Sequence, residues 1–220
     1  LIFHTGLPGP RDLRAAARRR DEERIPELQA ALPPFEDWSD LPQRAVRLTG
    51  ENALPALREF VAAGGTLIAL GGEVEKVVRH FELPIDVGTH TGEGEERRAT
   101  TRDEFYVPGS LLALEVDPEH PIARGVSPQV AAMVDRSSTP LDVLDRDAGI
   151  DVVARFRNDE PLLSGWAIGT GFLRDKAAVL CARVGDGRVV LCGADVTYRG
   201  QPLATAKLLF QAVLSAGERR

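Results

Sequence analysis

The chain has 220 residues and carries 27 basic and 33 acidic side chains, which give it a net charge of −6. This length predicts one large domain or two small ones, with enough interior to need neither a metal ion nor a disulfide for stability. The acidic balance argues against a surface that binds nucleic acid, and no apolar run approaches the roughly 20 residues of a membrane-spanning helix.

The first three residues, LIF, are apolar and predict a buried strand. Because a natural polypeptide seldom begins inside a strand, we expect residues 1–220 to be a single-domain fragment of a longer protein. Residues 11–32 predict a helix with a charged, solvated face, and the Pro- and Asp-rich stretch that follows predicts a loop. We interpret residues 10–45 as an insertion into the domain.

Two helices and one central strand are predicted next. Residues 52–63 predict a helix with Asn52 as its N-cap and Pro55 in its first turn. The segment TLIAL, residues 66–70, is apolar on both faces, as in a central parallel strand. Apolar residues recur at helical spacing over residues 74–81. This alternation of helix and strand predicts the α/β class.

The second half of the chain predicts antiparallel strands. Residues 88–104 are polar and show no apolar period, so we expect a mobile loop or a hairpin there. Beyond this segment, strands are predicted at 111–116, 150–156, 177–184 and 188–194, and a closing helix is predicted at 203–213.

Two cysteines, Cys181 and Cys192, fall on the last two predicted strands. The dipeptide Asp186-Gly187 between these strands predicts a two-residue hairpin turn. That turn would place Cys181 directly opposite Cys192, within the distance that a disulfide spans. A cross-strand disulfide and a pair of buried free thiols are both open on this evidence.

The glycine turn after residues 66–70 raises the question of a catalytic nucleophile. On many α/β enzymes a strand-to-helix turn of this kind exposes a Ser or Cys at its tip. Here the tip is Gly71-Gly72-Glu73, which offers no atom that could attack a carbonyl. Glu73 is either an acid–base group or a carboxylate that favours the N-terminus of the helix. We predict no catalytic residue in this chain.

Polar residues at the ends of other strands predict a ligand-binding crevice instead. His4 follows the first strand, so it would face the same crevice as Glu73 if the two strands are parallel neighbours. Arg199 lies between the last strand and the last helix, where its planar guanidinium could hold a carboxylate. The predicted ligand-binding residues are His4, Gly72, Glu73, Tyr198, Arg199 and Gln201.

One spacing is typical of zinc ligands. His90 and Glu93 form an H-x-x-E pair, and the third ligand would have to be His120. Zinc ligands need neighbouring residues that hold them in place, and His90 and Glu93 lie in a polar, glycine-rich segment. We therefore predict no metal site in this chain.

Several segments together resemble one known family. They are LREFVAAGGTLIALG, FYVPGSLLALEVDPEHPIARGV, LLSGWAIG and GDGRVVLCGADVTYRGQPLATAKLLFQAVL. From about residue 45 to residue 214 the chain resembles the C-terminal domain of large bacterial zinc carboxypeptidase-like proteins of the carboxypeptidase A family. That domain is similar to the glutamine amidotransferase fold. The resemblance thus implies a flavodoxin-like three-layer sandwich whose N-terminal strands are missing from this chain.

The resemblance also implies a function. The amidotransferase fold performs its reaction with a Cys at the elbow and a His in a late loop, and the matching segments here are Gly71-Gly72-Glu73 and Asp195-Val196-Thr197-Tyr198. Neither segment holds the required residue, so the resemblance implies a non-catalytic accessory domain. It further implies an upstream peptidase domain as the partner, with zinc bound there and no cofactor in this chain. A secreted or periplasmic parent protein and a homo-oligomer are compatible with it.

Two alternatives come from other classes of protein. The first is a hydrolase that uses His4 and Glu73 in the crevice at the carboxyl edge of the sheet. The second is a sugar- or peptide-binding module that uses Trp166, Tyr198 and Arg199.

Overall fold

The structure of the chain, a computed structural model, describes residues 2–3 and 50–217. His4, the predicted helix 11–32 and the predicted insertion 10–45 lie outside the described residues.

The chain divides into two compact units. One unit comprises residues 1–5 and 58–220, and the other comprises residues 6–57. The sheet and the sites described below belong to the first unit.

The described residues contain three α-helices, twelve strands and several short 3₁₀ turns. The helices are α1 (Gly50–Ala62), α2 (Glu73–Phe81) and α3 (Leu203–Leu214). The strands are β1 (Ile2–Phe3), β2 (Thr66–Leu70), β3 (Ile85–Val87), β4 (His90–Thr91), β5 (Arg98–Ala99), β6 (Ser110–Val116), β7 (Gln129–Val134), β8 (Leu141–Val143), β9 (Ile150–Phe156), β10 (Leu162–Ser164), β11 (Ala177–Val184) and β12 (Gly187–Cys192).

Ten of these strands form one mixed sheet, which confirms the predicted α/β class. Strands β1, β2 and β12 are parallel neighbours. From β12 the sheet continues antiparallel through β11, β9, β6 and β10, while β7 pairs with β6, β8 with β11, and β3 with β8. The expected abundance of antiparallel strands in the second half is therefore confirmed.

The core lies on both faces of the central strands. Every residue of β2 is buried, as expected for a strand that is apolar on both faces and covered on two sides. The largest apolar cluster includes Ile68 of β2, Phe156 of β9 and Leu208 of α3. Leu67 and Leu180 lie outside this cluster and are also fully inaccessible to solvent.

Most of the predicted helices and strands lie within a few residues of their predicted bounds. The features predicted for the start of α1, however, are wrong. Helix α1 begins at Gly50, so Asn52 lies inside the helix and is not its N-cap. Pro55 is the sixth residue of the helix, beyond the first turn in which it was expected.

The hairpin turn also differs from its prediction. Val184 pairs with Gly187, so the turn residues are Gly185 and Asp186, one position earlier than expected. Gly185 has a φ of +59°, and glycine is favoured at the first central position of a two-residue turn that needs positive φ. A Cβ on Gly187 would lie 2.0 Å from the Val61 carbonyl oxygen, so this glycine is required by close packing.

This register separates the two cysteines along the hairpin. Cys181 lies opposite Val190, and Cys192 lies opposite Val179. Diagonal neighbours on paired strands are about 7–8 Å apart, too far for a disulfide. Both cysteines are free and buried, which confirms the free-thiol alternative.

The polar segment 88–104 forms a hairpin in the structure. Strands β4 and β5 pair antiparallel, with His90 opposite Ala99. The hydroxyl oxygens of Thr89 and Thr100 lie 2.6 Å apart beside the ladder.

Candidate functional site

The elbow, residues 71–73, links β2 to α2. Gly71 has a φ of +54°, which favours glycine, and its amide donates to the Cys192 carbonyl oxygen at 3.0 Å. Gly72 has an ordinary helical conformation with a φ of −63°. Glu73 opens the helix and is 5% exposed, and its Oε1 accepts a hydrogen bond from Lys76 Nζ at 2.9 Å. The only carboxylate of the elbow is thus buried and paired within its own helix.

The late loop, residues 193–202, follows the neighbouring strand β12. Asp195 Oδ1 accepts from the Thr197 amide at 3.0 Å, which holds the start of the loop. Arg199 has a φ of +49°, and its guanidinium lies 5.0 Å from the centre of the Tyr198 ring. Arg199 and Gln201 are exposed and Tyr198 is half-buried.

The elbow and the late loop lie at the same edge of the sheet because β2 and β12 are parallel neighbours. The structure therefore places the described candidates, Gly72, Glu73, Tyr198, Arg199 and Gln201, at this edge. Their role in binding stays a prediction, and His4 lies outside the described residues.

A further segment lies against this edge. We call residues 133–139, which end β7 and lead to β8, the crossing segment. The Met133 carbonyl oxygen accepts from the Asp195 amide at 3.2 Å, and the Thr139 amide donates to the Gly193 carbonyl oxygen at 2.7 Å. The Ser137 carbonyl oxygen lies 3.7 Å from where a Cβ on Gly71 would stand. The crossing segment thus contacts the chain at the carboxyl ends of both central parallel strands.

The two thiols are unsuited to act as nucleophiles. Cys192 ends β12 beside the elbow, but its side chain is 1% exposed and burial raises its pKa to about 12. Burial likewise raises the pKa of Cys181 to about 11. A thiol acts as a nucleophile in its ionised form, so both groups are unreactive at neutral pH.

The two residues of the H-x-x-E pair have different surroundings in the structure. His90 Nδ1 lies 3.1 Å from Asp86 Oδ2, whereas Glu93 is exposed in the hairpin. His120 Nδ1 accepts a hydrogen bond from the Ile122 amide at 3.2 Å, at the start of a 3₁₀ turn. In the part of the chain that the structure describes, no three His, Cys, Asp or Glu side chains form a group that could hold a metal ion.

A cavity of about 690 Å³ lies between α2 and the β4–β5 hairpin. The segment 85–90, residues 99–102 and the end of the crossing segment complete its walls. This volume falls within the range of about 300–1,000 Å³ that is typical of small-molecule sites. Sequence reasoning missed this cavity, because its lining comes from short segments that only the pairing of β3 with β8 brings together.

No protein-family model matches the chain, and no curated protein matches it. Solved structures do match. A cytoplasmic protein from Salmonella typhimurium is 18% identical with a TM-score of 0.45, over 78% of this chain and 62% of that one. A β-galactosidase from Bacillus circulans is 12% identical with a TM-score of 0.42, over 76% of this chain and 21% of that one.

A ThuA-like protein from Parabacteroides merdae is 14% identical with a TM-score of 0.46, over 76% of this chain and 66% of that one. The chain spans less than two thirds of the length of the Salmonella and Bacillus proteins. These similarities carry no conclusion about activity. Within the described residues, no helix has the length and apolar character needed to cross a bilayer.

Proposed function

We propose that this chain is a non-catalytic accessory domain with a glutamine amidotransferase-like fold, joined to a zinc carboxypeptidase-like protein whose own domain hydrolyses peptides. The main support is the elbow, where Gly71 and Gly72 have no side chain and Glu73 is buried and paired with Lys76. A nucleophilic elbow needs an exposed Ser or Cys with a base within reach.

The arrangement around the parallel strands supports the flavodoxin-like part of the proposal. Strand β2 is followed by α2, and β12 is followed by a short 3₁₀ turn and then α3, so these two parallel strands lead into helices. Helix α3 packs beside β7, and α2 packs beside β2. Helices packed against a sheet with a parallel centre are the features expected of a three-layer α/β sandwich.

The crossing segment and the thiols support the absence of catalysis. In open α/β sheets a substrate lies beyond the carboxyl ends of the parallel strands. Here the backbone of the crossing segment is hydrogen-bonded to Gly193 and Asp195 at that place. The nearest thiol, Cys192, has a pKa raised by burial to about 12.

The surface of α3 supports a role in contacts with another domain. It exposes four large apolar side chains, of Leu203, Phe210, Val213 and Leu214. Their spacing along the sequence places them on one side of the helix, and an exposed apolar surface is typical of interaction sites. In this proposal the upstream peptidase domain covers it.

Incubation of the chain with glutamine and with C-terminal peptide substrates, with and without zinc, tests the absence of catalysis. We expect no turnover in any combination. Turnover that disappears in Glu73→Gln but persists in the control Glu95→Gln, an exposed residue of the hairpin, would favour the hydrolase alternative. The reading frame before Leu1 tests the parent protein: an H-x-x-E motif with a distant third His is expected, and its absence removes the peptidase part of the proposal.

One observation favours a second function, the binding of a sugar or peptide. Trp166 is 53% exposed, and its ring meets Tyr106 edge to face with centroids 5.9 Å apart. Exposed aromatic rings of this kind are common at binding surfaces. The predicted partner residues Tyr198 and Arg199 contact each other. Calorimetric titration with short oligosaccharides tests this function: we expect the wild type to bind them and Trp166→Ala to bind none, and equal binding by both proteins would contradict it.

A further inference from the structure

We propose that the cavity between α2 and the β4–β5 hairpin binds a small organic carboxylate whose acid group is held by Arg102 and whose body packs on the apolar part of the wall. This inference does not depend on the proposed accessory role. The residues that line this site include none of the elbow and none of the late loop, although Thr139 of its wall donates a hydrogen bond to Gly193.

The charges around the cavity determine the class of ligand. Asp86 is the acidic group of the segment 85–90, and its carboxylate is contacted by Arg97, by His90 Nδ1 at 3.1 Å and by Lys176 Nζ at 4.0 Å. Lys176 Nζ also lies 3.1 Å from Asp142 Oδ2, so Arg97 and Lys176 are two permanent cations shared by the two carboxylates of Asp86 and Asp142. This group of four residues has no net charge and therefore does not oppose the entry of an anion.

The pair on α2 is also compensated. Arg79 donates to Glu75 Oε1 at 2.5 Å, one helical turn away on the same face. Both residues line the cavity, and together they add no net charge to its wall.

Arg102 is different. Its guanidinium lies 5.1 Å from the centre of the Tyr106 ring, an arrangement that favours a cation and orients the planar group. Among the residues that the structure describes, none places a carboxylate within ion-pair distance of it. Arg102 is an exposed residue, so it adds an unpaired, solvent-accessible positive charge to the cavity wall. The planar fork of an arginine binds a carboxylate through two parallel hydrogen bonds.

His90 adds a second polar group with a defined orientation. Its Nδ1 is buried, faces Asp86 at 3.1 Å, and lacks a hydrogen bond of good geometry. The side chain is 21% exposed and lines the cavity. Because Nδ1 is directed at Asp86, the opposite edge of the ring, with Nε2, is the part available to a ligand.

The apolar part of the wall sets the shape of the ligand. Val78, Ile85, Phe105 and Pro140 line the cavity together with the polar groups. Val78, Ile85 and Pro140 are themselves buried and stand among a larger number of polar lining residues, so the wall is mixed in character. An organic acid with a small apolar group beside its carboxylate suits this mixed wall.

The test uses the whole chain and two matched probes, N-acetyl-L-phenylalanine and its neutral amide, which differ in charge but hardly in shape. We expect calorimetry or NMR titration to show binding of the acid, with the amide at least about tenfold weaker, since a hydrogen bond to a charged group contributes about 1.5–3 kcal/mol. Equal binding of the two probes, or no binding of the acid at 10 mM, would overturn the proposal.

Variants then locate the site. Arg102→Met should weaken binding of the acid by about tenfold or more and leave binding of the amide unchanged. Arg102→Lys, which keeps the charge without the fork, should give an intermediate affinity. Arg146→Met, at an exposed arginine that does not line the cavity, is the control and should bind like the wild type. If Arg102→Met binds the acid as tightly as the control, the acid is held elsewhere and the assignment to this cavity is wrong.

Discussion

Ser110 and Trp166, 56 residues apart, are joined by two hydrogen bonds through a single hydroxyl group. Ser110 Oγ donates to the Trp166 carbonyl oxygen at 2.6 Å and accepts from the Trp166 amide at 2.9 Å. Ser110 opens β6, and Trp166 follows β10, the strand paired with β6 through an irregular register. Gly165 makes this approach possible, because a Cβ there would stand 2.5 Å from the Ser110 hydroxyl.

Replacement of this hydroxyl should therefore destabilise the sheet edge. Ser110→Ala removes both hydrogen bonds and leaves the Trp166 amide without its partner, so we expect the free energy of unfolding to fall by about 1–3 kcal/mol. Urea unfolding followed by circular dichroism measures this loss. Ser164→Ala, at an exposed serine two residues before Trp166, should change stability by less than about 0.5 kcal/mol. Equal effects of the two variants would show that the hydroxyl contributes nothing specific.

Two glycines with different surroundings should respond differently to alanine. A Cβ on Gly187 would meet the backbone oxygens of Val61 at 2.0 Å and Gly65 at 2.3 Å, whereas a Cβ on Gly72 would meet nothing within 4 Å. We expect Gly187→Ala to destabilise the chain by about 2 kcal/mol or more, since backbone must move. Gly72→Ala should remain within about 0.5 kcal/mol of the wild type. Thermal and urea unfolding of both variants give the comparison, and a tolerated Gly187→Ala would contradict the packing of β12 on α1.

The buried thiols should be protected in the folded state. Because burial raises the pKa of Cys181 to about 11 and that of Cys192 to about 12, both remain protonated at pH 8. We expect a thiol-reactive dye to label neither cysteine in the native chain and both in concentrated urea. Labelling of one thiol under native conditions would show that the strand carrying it opens easily.

The same thiols predict a loss of stability in alkali. Because burial raises the pKa of Cys181 from 9.0 to about 11, its thiol ionises at a lower pH in the unfolded chain than in the folded chain. The stability that the protonated thiol gives the folded state is therefore complete below pH 9 and is lost as the pH rises towards 11. Cys181→Val should therefore show a shallower decline in the free energy of unfolding between pH 9 and pH 11 than the wild type. Parallel declines for the two proteins would contradict this prediction.

An exposed pair predicts a pH dependence on the acid side. Glu104 accepts two hydrogen bonds of 2.8 Å from Arg98, and these, with the Thr101 amide, lower its pKa from 4.5 to about 2. A lowered pKa gives stability that is present above pH 4.5 and is lost as pH falls towards 2. Glu104→Gln should reduce the difference in stability between pH 5 and pH 3. The control is Glu93→Gln, at an exposed residue of the same hairpin, and it should show the same difference in stability between pH 5 and pH 3 as the wild type. NMR titration of Glu104 measures its pKa directly.

Long elements with a clear apolar period were predictable from the sequence. The strand β2 has its predicted bounds, and α2 and β9 lie within one residue of theirs. Strands β3, β8 and β10 have three residues each, too few to establish a period of two. Strand β7 alternates between buried and less buried residues, but Ala131 and Ala132 at its centre have a weak preference for strands.

The candidate sites were likewise predictable where the signal is local in the sequence, and not where it depends on contacts between distant residues. The glycine turn between β2 and α2 could be predicted, because a strand-to-helix glycine turn is a local signal. The register of the hairpin between β11 and β12 could not be predicted. A glycine is needed at position 187 because this residue packs on Val61, and the two residues lie far apart in the chain. The cavity depends on the same kind of long-range pairing, which places Asp86 opposite Asp142.

The crossing segment has a consequence for protein engineering. A designer who introduced a cysteine at position 72 and a histidine at position 198 would add a nucleophile and a base, but not a place that could bind the acyl group of a substrate. The carbonyl oxygens of Ser137 and Thr139 already lie at this end of the parallel strands, and an oxyanion would meet acceptors there where it requires donors. Conversion of this scaffold into an enzyme would therefore have to begin with the connection between β7 and β8, before any active-site residue is exchanged.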